Sequence, residues 1–365
     1  MLGLKYWGGL SDYQQELTSH GYTTYTAVVG PVSSNWDRAC ELYAYIKGGT
    51  VDYGYAHAKK HGHNRYGRTY PGLYPEWGNL TPEGAGSKIH LVAHSMGGQT
   101  VRTLVQLLEE GSAEERSATS TSLSPLFAGN HSWVHSVTTI AAPHDGTTLA
   151  DGINVIGDFV KDFVASLAAF TGVGDNLLYD FKLDQWDLNR RPGESLTDYT
   201  SRVVSSSIWN YSTDLANWDL STDGARELNL WVKAQPDVSY FSYSTCATIP
   251  GFLTGSELPH IPDMTPLLYP TALFLGSYTR NEQGRVVIDD SWNPNDGVVN
   301  TISQDGPKIW SSDEIVNYSG IPQTGKWNSM PLLNTTDHLD ACGIGVNVLT
   351  SSWYKSLAER LGNLE

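Results

Sequence analysis

Several things are scarce in this 365-residue chain, and each scarcity excludes something. No apolar run reaches the roughly eighteen residues that mark a membrane-spanning helix. Positive charge is short: 23 Lys and Arg stand against 39 Asp and Glu, a formal charge of −16. That balance argues against nucleic acid and anionic membrane surfaces, which need dense Lys and Arg, and favours neutral substrates. There are three cysteines, Cys40, Cys246 and Cys342, too few and too scattered for a disulfide framework and odd in number. They read as buried free thiols. The stretch from Met1 to Trp7 lacks the basic start, apolar middle and cleavage site of a signal peptide. Asn-x-Ser/Thr triplets begin at Asn79, Asn130, Asn210, Asn317 and Asn334, but in a chain this rich in Asn, Ser and Thr they say little about secretion.

What is present is 40% hydrophobic residues, ample for a core, and one informative junction. Residues 88–94 form an apolar strand pattern, Lys-Ile-His-Leu-Val-Ala-His, and residues 99–108 read as a helix. Between them, residues 93–98 read Ala-His-Ser-Met-Gly-Gly. This is a nucleophile elbow, a sharp strand-to-helix turn with Ser95 at its tip, flanked by small residues because the turn brings backbone close. A bare small-x-Ser-x-Gly string is cheap; the strand before and the helix after give it weight.

Alternating strands and helices point to a mostly parallel sheet flanked by helices. Residues 23–29 and 136–142 read as strands, 238–245 and 271–276 as later strands, and 286–290 as a strand or its approach. Residues 34–45 have helical spacing behind Asn35. The Gly-, His- and Pro-rich stretch 48–86 is too long for a plain connection, which marks an insertion. From Asp151 to Phe170 apolar residues recur every three or four, one stripe along a helix. Such a stripe either packs in the core or forms a lid over an apolar pocket.

A serine hydroxyl needs an imidazole to take its proton and a carboxylate to orient that imidazole. After an elbow, the order along the chain is Ser, acid, His. His338, in a polar loop near the C-terminus, has the position of the base; His260, in a Pro-bounded segment, does not. Asp296, at an Asp-Gly turn after the 286–290 stretch, is the preferred acid, with Asp289, Asp290 and Asp305 as competitors. The backbone N–H of Met96 supplies one half of an oxyanion hole. Separately, His57, His61 and His63 cluster in the insertion, and Asp37 heads the preceding helix. This is either a zinc composition or a set of solvated loop histidines, and spacing alone does not choose.

A wider set of strings closely resembles the secreted lipases of thermophilic bacilli and staphylococci, over nearly the whole chain. They are Lys-Tyr-Trp-Gly-Gly at 5–9, Gly-Pro-Val-Ser-Ser-Asn-Trp-Asp-Arg-Ala at 30–39, Gly-Thr-Val-Asp-Tyr-Gly at 49–54, His-Gly-His at 61–63 and Gly-Arg-Thr-Tyr-Pro-Gly at 67–72. The elbow joins them, with Ala93 in place of Gly as is typical of the bacillus members, and so do Ala-Pro-His-Asp-Gly-Thr-Thr at 142–148, Tyr-Asp-Phe-Lys-Leu-Asp-Gln-Trp at 179–186, Asn-Asp-Gly-Val-Val-Asn at 295–300 and Asp-His-Leu at 337–339.

The resemblance implies a single α/β-hydrolase domain over 1–365, with a zinc-binding insertion at 37–86 together with 212–218, and a helical lid at 151–178. It implies Ser95, Asp296 and His338 as the triad of a triacylglycerol lipase that also hydrolyses shorter esters at a lipid–water interface. A structural zinc is implied on Asp37, His57, His63 and Asp214, with His61 as a neighbour. A calcium site is implied at Asp340, but its next acidic ligand falls on Gly345 and its proline on Val346, leaving one carboxylate, with Asp263 near a backbone ligand position. Secretion is implied too. Family members carry a strand and a His-Gly-Phe loop upstream of Lys5, so a central strand, a second oxyanion donor and the secretion signal are expected to precede the given sequence. The alternative is a non-catalytic lipase-like protein that binds lipid or a partner without turnover.

Overall fold

The computed structural model describes residues 5–80, 87–118, 122–152, 180–252 and 255–364. Its centre is a five-stranded parallel sheet in the order Ile89–His94, Val134–Ile140, Ser239–Tyr243, Trp327–Ser329, Ile315–Asn317. The second and third strands are buried on both faces, although Ser136, Thr138, Thr139, Ser239 and Ser242 break their apolar pattern. Tyr240 packs on one side with Leu91, Val137 and Trp327, against the helices Asn35–Lys47 and Gly97–Glu110. Phe241 and Tyr243 point to the other side, where Ile140 meets Tyr354, Leu357 and Leu361 of the helix Ser351–Gly362, and Tyr13 of the helix Tyr13–Ser19. This is the expected α/β layering.

The elbow strand and helix form as the apolar pattern predicts. The helix over residues 34–45 is also found, as Asn35–Lys47, but its cap is Ser34, whose Oγ accepts the Asp37 N–H at 3.2 Å. Three expected strands are not strands. Residues 23–29 carry the right β-branched and aromatic types but pair with nothing in a ladder, and Tyr25 and Val28 face solvent. Strand propensity is largely the packing of neighbours on a pleated surface, and among the described residues this segment has no strand beside it. Residues 271–276 belong to the helix Tyr269–Leu275, entered through Pro270, with Thr271, Ala272 and Leu275 inward. A short apolar run fits either element. Residues 286–290 contribute one isolated bridge, Arg280 to Ile288. The proposed lid begins in the short helix Thr148–Asp151, and its apolar stripe from residue 153 onward lies outside the described residues.

All five strands run the same way, so their C-terminal ends share one edge of the sheet. Ligand chemistry in open α/β sheets gathers at that edge. His94 ends the first strand there, Ile140 the second and Tyr243 the third.

Candidate active site and metal centre

Ser95 follows directly on the end of its strand in a left-handed backbone conformation, φ 55°, which a non-glycine residue adopts at a cost. The surroundings hold it there: Ser95 N–H donates to Ile140 O at 3.0 Å and Gly98 N–H donates to Ser95 O at 2.9 Å. Among the small neighbours, Gly98 is the constrained one, because a Cβ would run into Ala142 and Thr139, whereas a Cβ on Gly97 would make an ordinary 3.6 Å contact with Ala93. Met96 caps the helix Gly97–Glu110, so its N–H lies at the helix's positive end beside the serine.

His338 Nε2 lies 2.9 Å from Ser95 Oγ, and His338 Nδ1 lies 2.9 Å from Asp296 Oδ2. The three residues that the sequence singled out therefore meet in one line, although 243 positions separate Ser95 from His338. Asp296 is fully buried and its oxygens are well supplied. Oδ1 accepts the N–H groups of Val298 at 3.0 Å and Val299 at 2.8 Å; Oδ2 also accepts from Thr245 Oγ1 at 2.7 Å and Gln304 Nε2 at 3.2 Å. The Asp296 carbonyl in turn accepts the His338 N–H at 2.9 Å, fixing the histidine loop to the acid loop. The turn signal is real: Gly297 has φ 95°, and a Cβ there would press on Leu268.

The competing acids sit elsewhere. Asp289 caps the turn Asp290–Trp292 at the surface, and Asp305 pairs with Lys308 at 2.8 Å. His260 is hydrogen-bonded to Asp263, away from Ser95. Thr245 and Gln304 were not singled out from sequence: Thr245 lies 51 positions from Asp296, and Gln304, only 8 positions from it, carries no motif that marks it.

The second histidine and aspartate cluster also assembles. Asp37, His57, His63 and Asp214 each offer a ligand atom, and these atoms lie within 4.8 Å of one another. Asp37 is in the first turn of its helix, His57 is on the helix Tyr55–His61, and Gly62, at φ 77°, ends that helix and turns His63 inward. His57 Nε2 lies 3.3 Å from Asp37 Oδ1 and 3.2 Å from Asp214 Oδ1; His63 Nε2 lies 3.1 Å from Asp214 Oδ2. His61 stays a ring neighbour of His57, at 4.5 Å between centroids. Glu115 holds the helix start by accepting the N–H groups of Ala56 at 3.0 Å and His57 at 2.7 Å.

The donor set fits a divalent metal ion. Asp37 Oδ1 and His63 Nε2 are buried and make no well-directed hydrogen bond, each facing only another member of the quartet, at 3.3 Å and 3.1 Å, an expensive arrangement unless something else binds them. Their outer sides are satisfied: His63 Nδ1 is 2.8 Å from Asn64 O, which leaves Nε2 its lone pair, and Gln185 Nε2 donates to Asp37 Oδ2 at 2.7 Å. Two buried carboxylates side by side repel. Burial and the Asp214 charge push Asp37 up from its ordinary carboxylate range, a strain that a dication would relieve.

Asp340 does not fit a calcium ion. Its Oδ2 accepts the Asp337 N–H and its Oδ1 the Asn347 N–H, each at 2.7 Å. A Cβ at Gly345 would collide with the Asp340 carboxylate, so no second acidic side chain fits there. Asp263, the other residue considered, is engaged by Asn347 Nδ2 at 2.7 Å and by His260. A calcium ion wants six to eight oxygens, and this loop closes on its own amides.

Comparison with known proteins places the chain among lipases. The family described as "Lipase-like, C-terminal domain" matches residues 2–357. Among solved structures, lipase 1 from Pelosinus fermentans is 77% identical, with TM-score 0.91, over 100% of this chain and 94% of that one. EstA from Clostridium botulinum is 54% identical, with TM-score 0.92, over 100% of this chain and 83% of that one. Staphylococcus hyicus lipase is 34% identical, with TM-score 0.79, over 99% and 89%. Lipase 1 of Staphylococcus aureus is 38% identical over 93% of this chain, which spans about half (47%) of that relative's length. On the extent of these matches, the chain belongs to the lipase-like C-terminal domain family.

Proposed function

We propose that the chain is a carboxylester hydrolase of lipase type, acting on triacylglycerols and shorter esters through an acyl-Ser95 intermediate. The observation that carries this reading is the unbroken line Ser95 Oγ, His338 Nε2, His338 Nδ1, Asp296 Oδ2, with 2.9 Å at each of its two hydrogen-bonded steps. His338 takes the Ser95 proton as Oγ attacks the ester carbonyl carbon, then returns it to the leaving alcohol; a water repeats the cycle to release the acid. Asp296 keeps the imidazole in the tautomer with a proton on Nδ1 and balances its charge once Nε2 is protonated. The Met96 N–H stabilises the developing oxyanion.

In this reading Asp37, His57, His63 and Asp214 hold a structural zinc ion. Two imidazoles and two carboxylates make a closed four-ligand set, and a bound ion would neutralise the paired carboxylates and tie the Asn35–Lys47 and Tyr55–His61 helices to the Asp214 segment. The substrate side is a lipid–water interface. Among the described residues no helix is long and apolar enough to cross a membrane, consistent with an enzyme that meets lipid from the aqueous side, and secretion is the matching location.

The test is hydrolysis of soluble p-nitrophenyl butyrate and emulsified tributyrin by the purified chain and its Ser95→Ala variant. Activity on both substrates, lost by at least about 10⁴-fold in the variant, is expected. Undiminished turnover in Ser95→Ala would sink the assignment, and activity confined to the soluble ester would make the enzyme an esterase.

A further inference from the structure

His94 precedes the nucleophile and has no part in the mechanism above, yet its buried ring lies against the catalytic imidazole. The centroids of His94 and His338 are 4.5 Å apart, with the planes inclined by 47°. His94 Nδ1 is 2.6 Å from Tyr6 Oη and 3.3 Å from Cys342 Sγ. Trp7 meets the same ring edge-on at 6.3 Å, and Gly8 N–H donates to Cys342 O at 2.8 Å. The Lys-Tyr-Trp-Gly-Gly string, until now only a mark of resemblance, thus clasps the residues on either side of the triad.

We infer that Tyr6 and His94 are positioning residues: Tyr6 fixes the His94 ring through Nδ1, and that ring holds the face of His338 so that its two nitrogens stay on Ser95 and Asp296. This rests on the hydrolase reading. The physical argument is angular. Hydrogen bonds weaken steeply as they bend, and an imidazole with only two in-plane partners is free to tilt about the line joining them. The His94 ring, inclined at 47° with its centroid 4.5 Å away, blocks that tilt on one side and shields the imidazole there from water.

The clasp is also uncharged. Burial, then the neighbouring His338 charge, holds His94 well below the usual imidazole range. Burial raises the Tyr6 phenol well above its ordinary value and pushes the Cys342 thiol up to about 12. Tyr354 faces Tyr6, and Asp337 and Asp340 face Cys342. The catalytic imidazole therefore gains its proton beside a neutral aromatic surface, with Asp296 as the anion bonded to it.

The experiment compares His94→Ala, His94→Phe and Tyr6→Phe, each checked by melting temperature. Readouts are kcat and KM on p-nitrophenyl butyrate and the low-field proton NMR signal of the His338 to Asp296 hydrogen bond. For His94→Ala the expected results are a kcat lower by about 100-fold, KM within about twofold, and loss of the signal. His94→Phe restores a ring beside His338 but loses the Tyr6 bond to Nδ1, so kcat should fall by roughly tenfold with the signal in place. Tyr6→Phe, which loses the same bond, should fall by a similar factor.

A His94→Ala variant with wild-type kcat and signal would overturn the inference. So would a His94→Phe variant that melts like the wild type but is as impaired as His94→Ala. If the wild type itself turns over no ester, the hydrolase reading fails, and the NMR comparison still decides whether His94 positions His338.

Discussion

The loop around His338 and the quartet around Asp214 are both clusters of histidine and aspartate, but they are bonded in opposite ways. At the first, the acid is saturated: Asp296 accepts from Val298, Val299, Thr245 and Gln304 as well as facing His338. Asp340, two residues past His338, is likewise closed by the amides of Asp337 and Asn347. At the second, Asp37 Oδ1 and His63 Nε2 point into the cluster, where each faces only another member of the quartet and makes no well-directed hydrogen bond, while the outer atoms Asp37 Oδ2 and His63 Nδ1 are engaged. A site that does proton transfer is prearranged by the protein's own donors, whereas a site that awaits an ion leaves its inner atoms unsatisfied. Residue type alone does not distinguish them.

That contrast can be broken in several places. The largest effect is expected at the saturated acid. Asp296→Asn preserves shape but loses the anion that sets the His338 tautomer, and kcat for a soluble ester should fall by roughly 10⁴-fold. A variant within tenfold of wild type would mean that Asp296 is not the orienting acid.

Next comes the quartet. Stripping bound metal with a chelator, or replacing Asp214 with Asn, should lower the melting temperature by roughly 5 °C, corresponding to about 4 kcal/mol for an ion whose Kd lies a thousandfold below its free concentration. Ester turnover measured well below the transition should survive, because the quartet takes no part in proton transfer. Metal analysis of protein purified without added metal should find close to one zinc per chain; a content near zero would remove the metal from the account.

A smaller effect tests the ion-free loop. Burial, then the Asp337 charge, holds the Asp340 carboxyl up at about 7, above its unfolded value. Its contribution to stability is therefore present below about pH 4 and lost as pH rises through about 7. The melting temperature of Asp340→Asn, relative to wild type, should become more favourable across that window. A difference independent of pH would contradict the assignment. The smallest expected effect is none: millimolar calcium should leave the wild-type melting temperature unchanged within about 1 °C, since Asp340 offers the ion no open oxygen.

How far the sequence revealed these sites follows from the same contrast. The elbow was legible because it is local, a strand, a turn and a helix within one window, and Gly98 is demanded by Ala142 and Thr139 nearby. Asp296 was one of four acids by spacing, and only the 2.9 Å approach of His338 separates it from Asp289, Asp290 and Asp305. The quartet was half visible: His57, His61 and His63 are close in sequence, but Asp214 is 157 positions from His57, and no periodicity links them. Thr245, Tyr6 and Gln185 were invisible as site residues, because each acts on a partner far along the chain; Gln304 lies only 8 positions from Asp296 but carries no motif that marks it. Residues 23–29 misled for the opposite reason, since their β-rich composition says nothing about whether a neighbouring strand exists.

The central claim, that Ser95 is a nucleophile activated by an already assembled His338 and Asp296, is tested most directly by mass spectrometry of the intact chain after reaction with a fluorophosphonate. The account predicts one adduct per chain, mapped to Ser95 and formed at least about 10³-fold more slowly in His338→Ala. An adduct on another serine, or none at all, would contradict it.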